Sequence, residues 1–233
     1  MSAPVGPAGT IAGCGRPATA GAAGEPAPAP LQARSGVAFG WSRSDLIFDG
    51  IDAEVERAAV VASTDFFVRD GMTAQIAAGA LLDGSLEGSD GVVRSMGPGW
   101  MLAGGTTWRV LDGLVGAAPY LLLSLTFGAS GTRTVADPPE SVSALRGDYV
   151  ALDARFGATV GKTFGDLVSP YLSARAFGGP VIWDEGDTTR LGTDRYHVQI
   201  AGGAALLLGP VDLFVEGAPL GEQAISAGVG VAY

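Results

Sequence analysis

The chain has 233 residues, of which only 16% are charged and 37 are glycine, and its formal net charge is −10. This acidic balance argues against nucleic-acid binding, because no basic stripe is available to neutralise phosphates. The single cysteine excludes an intramolecular disulfide and a cysteine-rich metal site. Mean hydropathy is +0.31, yet no run of about 18 apolar residues predicts a membrane-spanning helix. The composition therefore favours strands, whose apolar residues are spread at every second position.

Residues 1–34 consist largely of alanine, glycine and proline. Such a composition cannot bury enough apolar surface to offset the entropy of ordering, so we predict a disordered N-terminal segment over 1–34 and one folded domain over 35–233. The run Ile11–Cys14 resembles a lipoprotein box, in which Cys14 would be acylated. The preceding stretch lacks Lys or Arg and is only weakly apolar, so an incidental cysteine is the alternative.

From Gly36 onward, segments of strand length alternate with turn chemistry. The predicted strands are 36–43, 53–68, 72–87, 100–110, 114–129, 149–161, 167–183, 196–208, 211–217 and 222–233, and 53–68 could also form helical turns. The dipeptides Asp70-Gly71 and Asp112-Gly113 predict tight turns. Residues 88–99, 131–147 and 184–194 are predicted connections. The indoles of Trp100 and Trp108 share one face, eight residues apart, which is of the order of the height of a membrane barrel's apolar band.

The most regular alternation lies in residues 149–161. Six apolar side chains from Val150 to Val160 share one face, and Asp153 and Arg155 lie on the other. Residues 222–233 alternate in the same way, with an apolar face that ends at Tyr233 and an opposite face of very small side chains. In a membrane barrel the apolar face meets lipid and the other lines a narrow interior. The terminal strand must then pair with 36–43, because an unpaired sheet edge cannot lie in lipid.

Ten such segments, short connections after the even-numbered ones and mostly longer connections after the others, and a last strand that ends on an aromatic resemble the bacterial outer-membrane β-barrel superfamily. Small OmpA-like, OmpW-like or porin-like barrels are the nearest comparison. The resemblance implies an all-β fold, a single closed antiparallel up-and-down transmembrane β-barrel of ten strands, with both termini periplasmic. It also implies outer-membrane lipid as surroundings and the barrel-assembly machinery as a partner that binds the terminal strand ending in Tyr233. The implied role is structural or passive transport of small solutes, with loops displayed at the cell surface.

Polar side chains on the predicted inner face are the candidate site residues. They are Arg109, Asp153, Arg155, Arg175, Gln199 and Glu216, and the predicted interface aromatics are Trp100, Trp108 and Tyr233. Opposite charges in a ten-stranded barrel would pair across the lumen and plug it, whereas an open lumen would form a polar pore or a solute site. No cofactor is predicted.

Other functions rest on weaker features. His197 is the single histidine and lies near the outer end of its strand, three residues after Asp194. Some outer-membrane enzymes, the omptin-type proteases among them, place carboxylates and a histidine at this rim, but no Ser-His-acid set accompanies it here, so we predict no enzymatic activity. The acidic residues Asp184, Glu185, Asp187 and Asp194 lack the spacing of a calcium loop, so no metal is predicted.

The main alternative is a soluble or lipid-anchored β-barrel that binds an apolar ligand, and a rim hydrolase is a further one. The direction of two charged side chains separates the soluble barrel from the membrane barrel. Asp153 and Arg155 must point inward in the membrane barrel and outward in the soluble one.

Overall fold

The computed structural model describes residues 33–89, 91–112, 118–136, 146–185 and 188–233. Regular structure in these residues is β-strand throughout. The thirteen strands in the described ranges are Ala33–Phe48 (β1), Ile51–Arg69 (β2), Met72–Gly88 (β3), Val93–Met96 (β4), Gly99–Asp112 (β5), Tyr120–Ala136 (β6), Arg146–Gly161 (β7), Val168–Gly178 (β8), Val181–Glu185 (β9), Thr188–Asp194 (β10), Val198–Leu208 (β11), Val211–Leu220 (β12) and Gln223–Ala232 (β13). Within the same ranges, no helix is long and apolar enough to cross a membrane.

Ten of the strands form a closed antiparallel ring in the order β1-β2-β3-β5-β6-β7-β8-β11-β12-β13, and β13 pairs back onto β1. In that last pairing Val37 lies opposite Val229 and Ser35 lies opposite Val231. The terminal strand therefore closes the ring against the first strand, as the sequence predicted. The predicted fold class, a single closed antiparallel barrel, is confirmed.

Apolar side chains cover the outside of the ring. On β7, residues 150–160 place their even-numbered side chains outward, whereas Asp153 and Thr159 are buried inside. Ten residues at a rise of about 3.3 Å and a tilt of about 40° give a band about 25 Å high, the height expected for a membrane barrel. Exposed apolar side chains occur on every strand of the ring, among them Val37, Val68, Ile76, Leu102, Phe127, Phe156, Leu172, Ile200, Val215 and Val229. This pattern is the reverse of the one required by the alternative of a soluble barrel.

Beyond the apolar band, at the end opposite Ala33 and Tyr233, the wall continues as a second ring. Here β4 takes the place of β5, and the β9-β10 hairpin takes the place of β8 and β11–β13. The order is β1-β2-β3-β4-β6-β7-β9-β10, and β10 pairs with β1. We call this region the extension; its described residues are 44–57, 84–89, 91–96, 132–136, 146–149, 181–185 and 188–194. The outward ion pair between Arg133 and Asp148, 3.7 Å apart, marks its lower border.

Two predictions for the region around residues 167–194 are wrong. The predicted strand 167–183 ends at Gly178, because Pro180 has no N–H to donate to a ladder and the chain bends at Gly179-Pro180. The predicted loop 184–194 instead forms most of the β9-β10 hairpin, since Trp183 and Asp194 turn inward while the charged Asp184 faces out. Among the charged side chains described in this segment, Asp184 faces out whereas Arg190 and Asp194 face in. A segment with charges on both faces is not distinguished from a loop by the sequence alone.

Other boundaries also differ from the prediction. The predicted loop 88–99 contains β4, and β6 and β7 extend into 131–147, of which residues 137–145 lie outside the described residues. The connections after β1 and after β12 are tight turns rather than long loops, with Asp49, Gly50 and Gly221 at positive φ. The predicted strand 53–68 is a strand, not a helix. The first described strand includes Ala33 and Arg34, the last two residues of the predicted disordered segment. The rest of that segment, with Cys14, lies outside the described residues.

Candidate functional site

A network of charged side chains lies inside the lumen, on neighbouring strands of the ring. Arg155 on β7 donates from Nε to Asp153 Oδ2 at 2.8 Å and from Nη2 to Glu222. Arg175 on β8 forms a two-pronged pair with Glu216 on β12, with Nη2 at 2.8 and 2.7 Å from the two carboxylate oxygens. We call these five residues, together with Gln199, the lumen network. It joins two guanidinium groups to three carboxylates inside a wall that excludes bulk water, where such pairs interact strongly.

Gln199 connects the two halves of the lumen network. Its side-chain Oε1 accepts from Arg175 at 3.0 Å and from Arg155 at 3.5 Å, and its Nε2 donates to the backbone carbonyl of Glu222 at 2.7 Å. The amide is fully buried and uses both of its polar ends, which fixes it in one orientation. The network therefore joins four neighbouring strands of the ring, β7, β8, β11 and β12, and the turn before β13.

An apolar core fills the extension above the lumen network. On the inner face of β7 the side chains pass from Tyr149 and Ala151, in the core, to Asp153 and Arg155, in the network. The core consists of Leu46, Phe48, Ala53, Val55, Leu86, Met96, Tyr149, Ala151, Val181 and Trp183. Trp183 contacts Phe48 with ring centroids 5.6 Å apart and donates from Nε1 to Thr134 Oγ1 at 3.2 Å. Large buried side chains thus occupy the interior of the extension.

A second buried ion-pair cluster lies at the end of the lumen opposite the extension, near Ala33 and Tyr233. Arg34 on β1 donates from Nε to Asp212 Oδ1 at 2.7 Å and contacts Asp65 on β2 at 3.2 Å. Gln75 completes the group by donating to the other oxygen of Asp65 at 2.7 Å. The Arg34 guanidinium lies over the backbone of Gly230, where a Cβ would overlap it. We call Arg34, Asp65, Gln75 and Asp212 the seam clamp, because it joins β2 to β12 across the seam between β1 and β13.

The structure brings most of the predicted lumen residues together. Asp153, Arg155, Arg175, Gln199 and Glu216 all belong to the lumen network. Arg109 faces inward from β5 but lies apart from them, next to the turn at Gly71, whose carbonyl accepts from its backbone N–H at 2.7 Å.

The predicted interface aromatics lie at the two borders of the apolar band. Trp100 pairs with Gly131, two residues before the outward Arg133 that marks the upper border. Trp108 lies near the lower border, where its partner on β3 is the first strand residue, Met72. Tyr233 is 72% exposed at the same lower end.

Sequence reasoning missed Glu222 and three charged members of the seam clamp. Two-residue spacing could have identified Asp212, because it has the same parity as Glu216 on one strand, and Asp65 has the parity of the buried Val61. Arg34 falls in the predicted disordered segment, because residues 1–34 consist largely of alanine, glycine and proline. Glu222 is the first residue of the predicted strand 222–233 and has the parity of its inner face, so alternation could have identified it as well.

The features that suggested catalysis or metal binding are not assembled into a site. His197 is exposed, and its Nδ1 lies 3.3 Å from the carbonyl oxygen of Phe177. Asp194 faces the interior of the extension and is 2% exposed, and burial raises the pKa of its carboxyl. Of the acidic residues considered for a cation, Asp187 lies outside the described residues. In the part of the chain that the structure describes, no group of three or more His, Cys, Asp or Glu side chains could hold a metal ion.

Comparison with known proteins identifies the class of fold. No family model and no curated sequence matches the chain. Among solved structures, the outer-membrane protease OmpT from Escherichia coli superposes with a TM-score of 0.55 at 10% identity, over 91% of this chain and 99% of that one. The transport unit of the autotransporter AIDA-I from Escherichia coli gives 0.47 at 12% identity over 97% and 98%, and OprG from Pseudomonas aeruginosa gives 0.38 at 9% over 87% and 95%. The chain has the fold of the bacterial outer-membrane β-barrels.

Proposed function

We propose that the protein is an integral outer-membrane β-barrel of a Gram-negative bacterium, with a closed lumen and a structural role in holding the extension at the cell surface. The observation that carries this proposal is the filled interior, in which the apolar core of the extension lies directly above the lumen network. Side chains that fill a lumen leave no path for solutes, whereas porins keep an aqueous channel.

The proposed orientation places both termini in the periplasm. Supporting it, Ala33 and Tyr233 lie at the end of the barrel that carries short turns such as Asp70-Gly71, and the long wall lies at the other end. We also propose that the assembly machinery binds the terminal strand, whose outward face ends at the aromatic Tyr233. A Tyr233→Ala variant recovered from outer membranes in parental yield would argue against that partner.

Passive transport of small solutes is the second candidate. The lumen network favours it, because paired charges in a lumen can separate and let ions pass. We expect that purified, refolded protein gives no reproducible conductance steps in a planar lipid bilayer, since the apolar core of the extension would still block the path. Heat-modifiable migration on a gel, together with fractionation with outer membranes, provides the control that the protein is folded and inserted. Reproducible conductance steps from such a preparation would contradict the closed barrel and indicate a pore.

We propose no enzymatic role. The support is that His197 is exposed at the barrel rim whereas Asp194 faces inward, so the two do not form an acid-base pair. We expect His197→Ala to leave the rate of hydrolysis of peptide and lipid substrates unchanged, at the background of the assay. The measurement uses folded protein in detergent micelles, with Thr193→Ala on the neighbouring strand as the control variant. A loss of activity of tenfold or more confined to His197→Ala would identify a rim hydrolase.

A further inference from the structure

A groove crosses the lipid-facing side of the barrel next to the seam. Its floor is formed by Ala62 and Ala78, which lie opposite each other on β2 and β3. Large apolar side chains form its walls, among them Val37, Leu102, Phe127 and Val229, each at least 40% exposed. The groove is open to the surroundings and has a volume of about 1060 Å³. None of the residues that line it is charged, and it is continuous with the apolar band that contacts lipid.

The groove rises from the lower border toward the middle of the apolar band. One row of paired residues runs from Ser35 on β1 across β2, β3 and β5 to Phe127 on β6. Ser35 is two residues beyond the first residue of β1, at the lower end of the barrel, whereas Phe127 is seven residues beyond the first residue of β6, at the same end. The four strand spacings between them measure about 19 Å. That length is comparable with the half-thickness of a bilayer's hydrocarbon core, about 15 Å, so one leaflet's acyl chain matches the groove.

Three hydroxyl groups lie together at the lower end of the groove. Ser35 Oγ is 3.0 Å from Thr64 Oγ1 and 3.0 Å from the phenol oxygen of Tyr233. Two hydrogen bonds within this trio engage two of its three hydroxyl protons, which leaves one for an acceptor outside the trio. Ser35 and Thr64 also line the groove. A neutral donor at the border of the apolar band suits the ester carbonyl at the head of an acyl chain.

From these two observations we propose that the groove is a binding site for a glycerophospholipid of the leaflet at the short-turn end of the barrel. The acyl chain lies along Ala62 and Ala78, and an ester oxygen accepts from the hydroxyl trio. Burial of the chain against apolar walls supplies the attraction, and the hydroxyl trio fixes the direction and depth of the lipid. This inference rests on the membrane insertion proposed above.

Native mass spectrometry of the full chain, refolded in mild detergent with palmitoyl-oleoyl phosphatidylethanolamine, tests the site. We expect one retained phospholipid. Ala78→Leu fills the floor of the groove and should lower retention by at least about tenfold. Ala174→Leu is the matched control, because Ala174 also faces lipid between an alanine and a large apolar residue, Ala158 and Ile200, away from the groove. It should change retention by less than about twofold.

Two further variants test the hydroxyl trio. Ser35→Ala and Tyr233→Phe each remove one hydroxyl and should lower retention about two- to tenfold, the effect of one lost hydrogen bond. No retained lipid on the parent chain, or equal loss in Ala78→Leu and Ala174→Leu, would overturn the site. A dimer that Ala78→Leu dissociates would assign the groove to a second copy of the chain. Heat-modifiable migration reports insertion separately, so failure of the lipid site and failure of the barrel assignment are distinguishable.

Discussion

Replacing Arg34 with methionine is expected to lower the free energy of unfolding by about 3–5 kcal/mol, the cost of removing one partner from a buried ion pair. The side chain is 3% exposed and contacts Asp212 and Asp65, whose side chains are 3% and 1% exposed. Methionine fills a similar volume but leaves both carboxylates in the lumen without their cation. Guanidinium titration followed by tryptophan fluorescence, with the protein in phospholipid vesicles, measures the change.

The control is Arg133→Met. Arg133 also contacts a carboxylate, on Asp148, but the two side chains are 85% and 77% exposed. Exposed ion pairs contribute little to stability, so the free energy of unfolding of this variant should stay within about 0.5 kcal/mol of that of the parent. A double variant, Arg34→Met with Asp212→Leu, removes one of the orphaned carboxylates and should recover part of the loss. Equal stability of the Arg34 and Arg133 variants would show that the seam clamp does not hold the barrel closed.

The position of the seam clamp explains why so large an effect is expected from one residue. The ring is completed by the pairing of β1 with β13, the two strands farthest apart in the sequence. Because Arg34 reaches Asp65 on one side and Asp212 on the other, it adds side-chain contacts across this closure that backbone pairing alone does not supply. An open seam would expose unpaired backbone groups to lipid, where each costs several kcal/mol.

Period-two alternation predicted the barrel part of the structure well. It assigned inner and outer faces on β7, β8, β11 and β13, because one side of each strand contacts lipid and must be apolar. It also placed Asp153 and Arg155 inside, which distinguishes this barrel from a soluble one. The contacts between these residues could not be predicted, since neighbours around the ring lie far apart in the sequence and their register depends on turn geometry.

The extension could not be predicted for a related physical reason. Outside the membrane the outer face of a strand contacts water, so residues such as Asp45 and Asp184 are favourable there, and the segments look like polar loops. Leu46 and Phe48 face in while Asp45 and Ile47 face out, but four residues, with the outward Ile47 also apolar, are too few to predict a strand. The position of the β9-β10 hairpin in the sheet is also not predictable from the sequence, because it pairs with β1 and β7 rather than with the strands that flank it in sequence.

Replacing Trp183 with alanine is the second change with a large expected effect, and the loss of stability should be confined to the extension. Trp183→Ala removes a side chain that is 4% exposed, contacts Phe48 and lies within cation–π distance of the guanidinium groups of Arg94 and Arg190, at 4.8 and 5.9 Å. Truncation of a buried Trp costs about 3–5 kcal/mol. Only the eight strands of the extension depend on this core, whereas the ten-stranded ring retains its lipid-facing band and its seam clamp.

Hydrogen exchange measured by mass spectrometry should therefore show faster exchange in β4, β9 and β10 of Trp183→Ala, with unchanged protection in β12 and β13. Trp100→Ala is the matched control, since that indole is 48% exposed on the outside and should not affect the extension. Trp183→Phe retains most of the ring contact but loses the hydrogen bond to Thr134, so its exchange should be intermediate. Uniform acceleration across both rings would mean that the extension and the barrel unfold as one unit, and that the apolar core supports the barrel as well as the surface it holds.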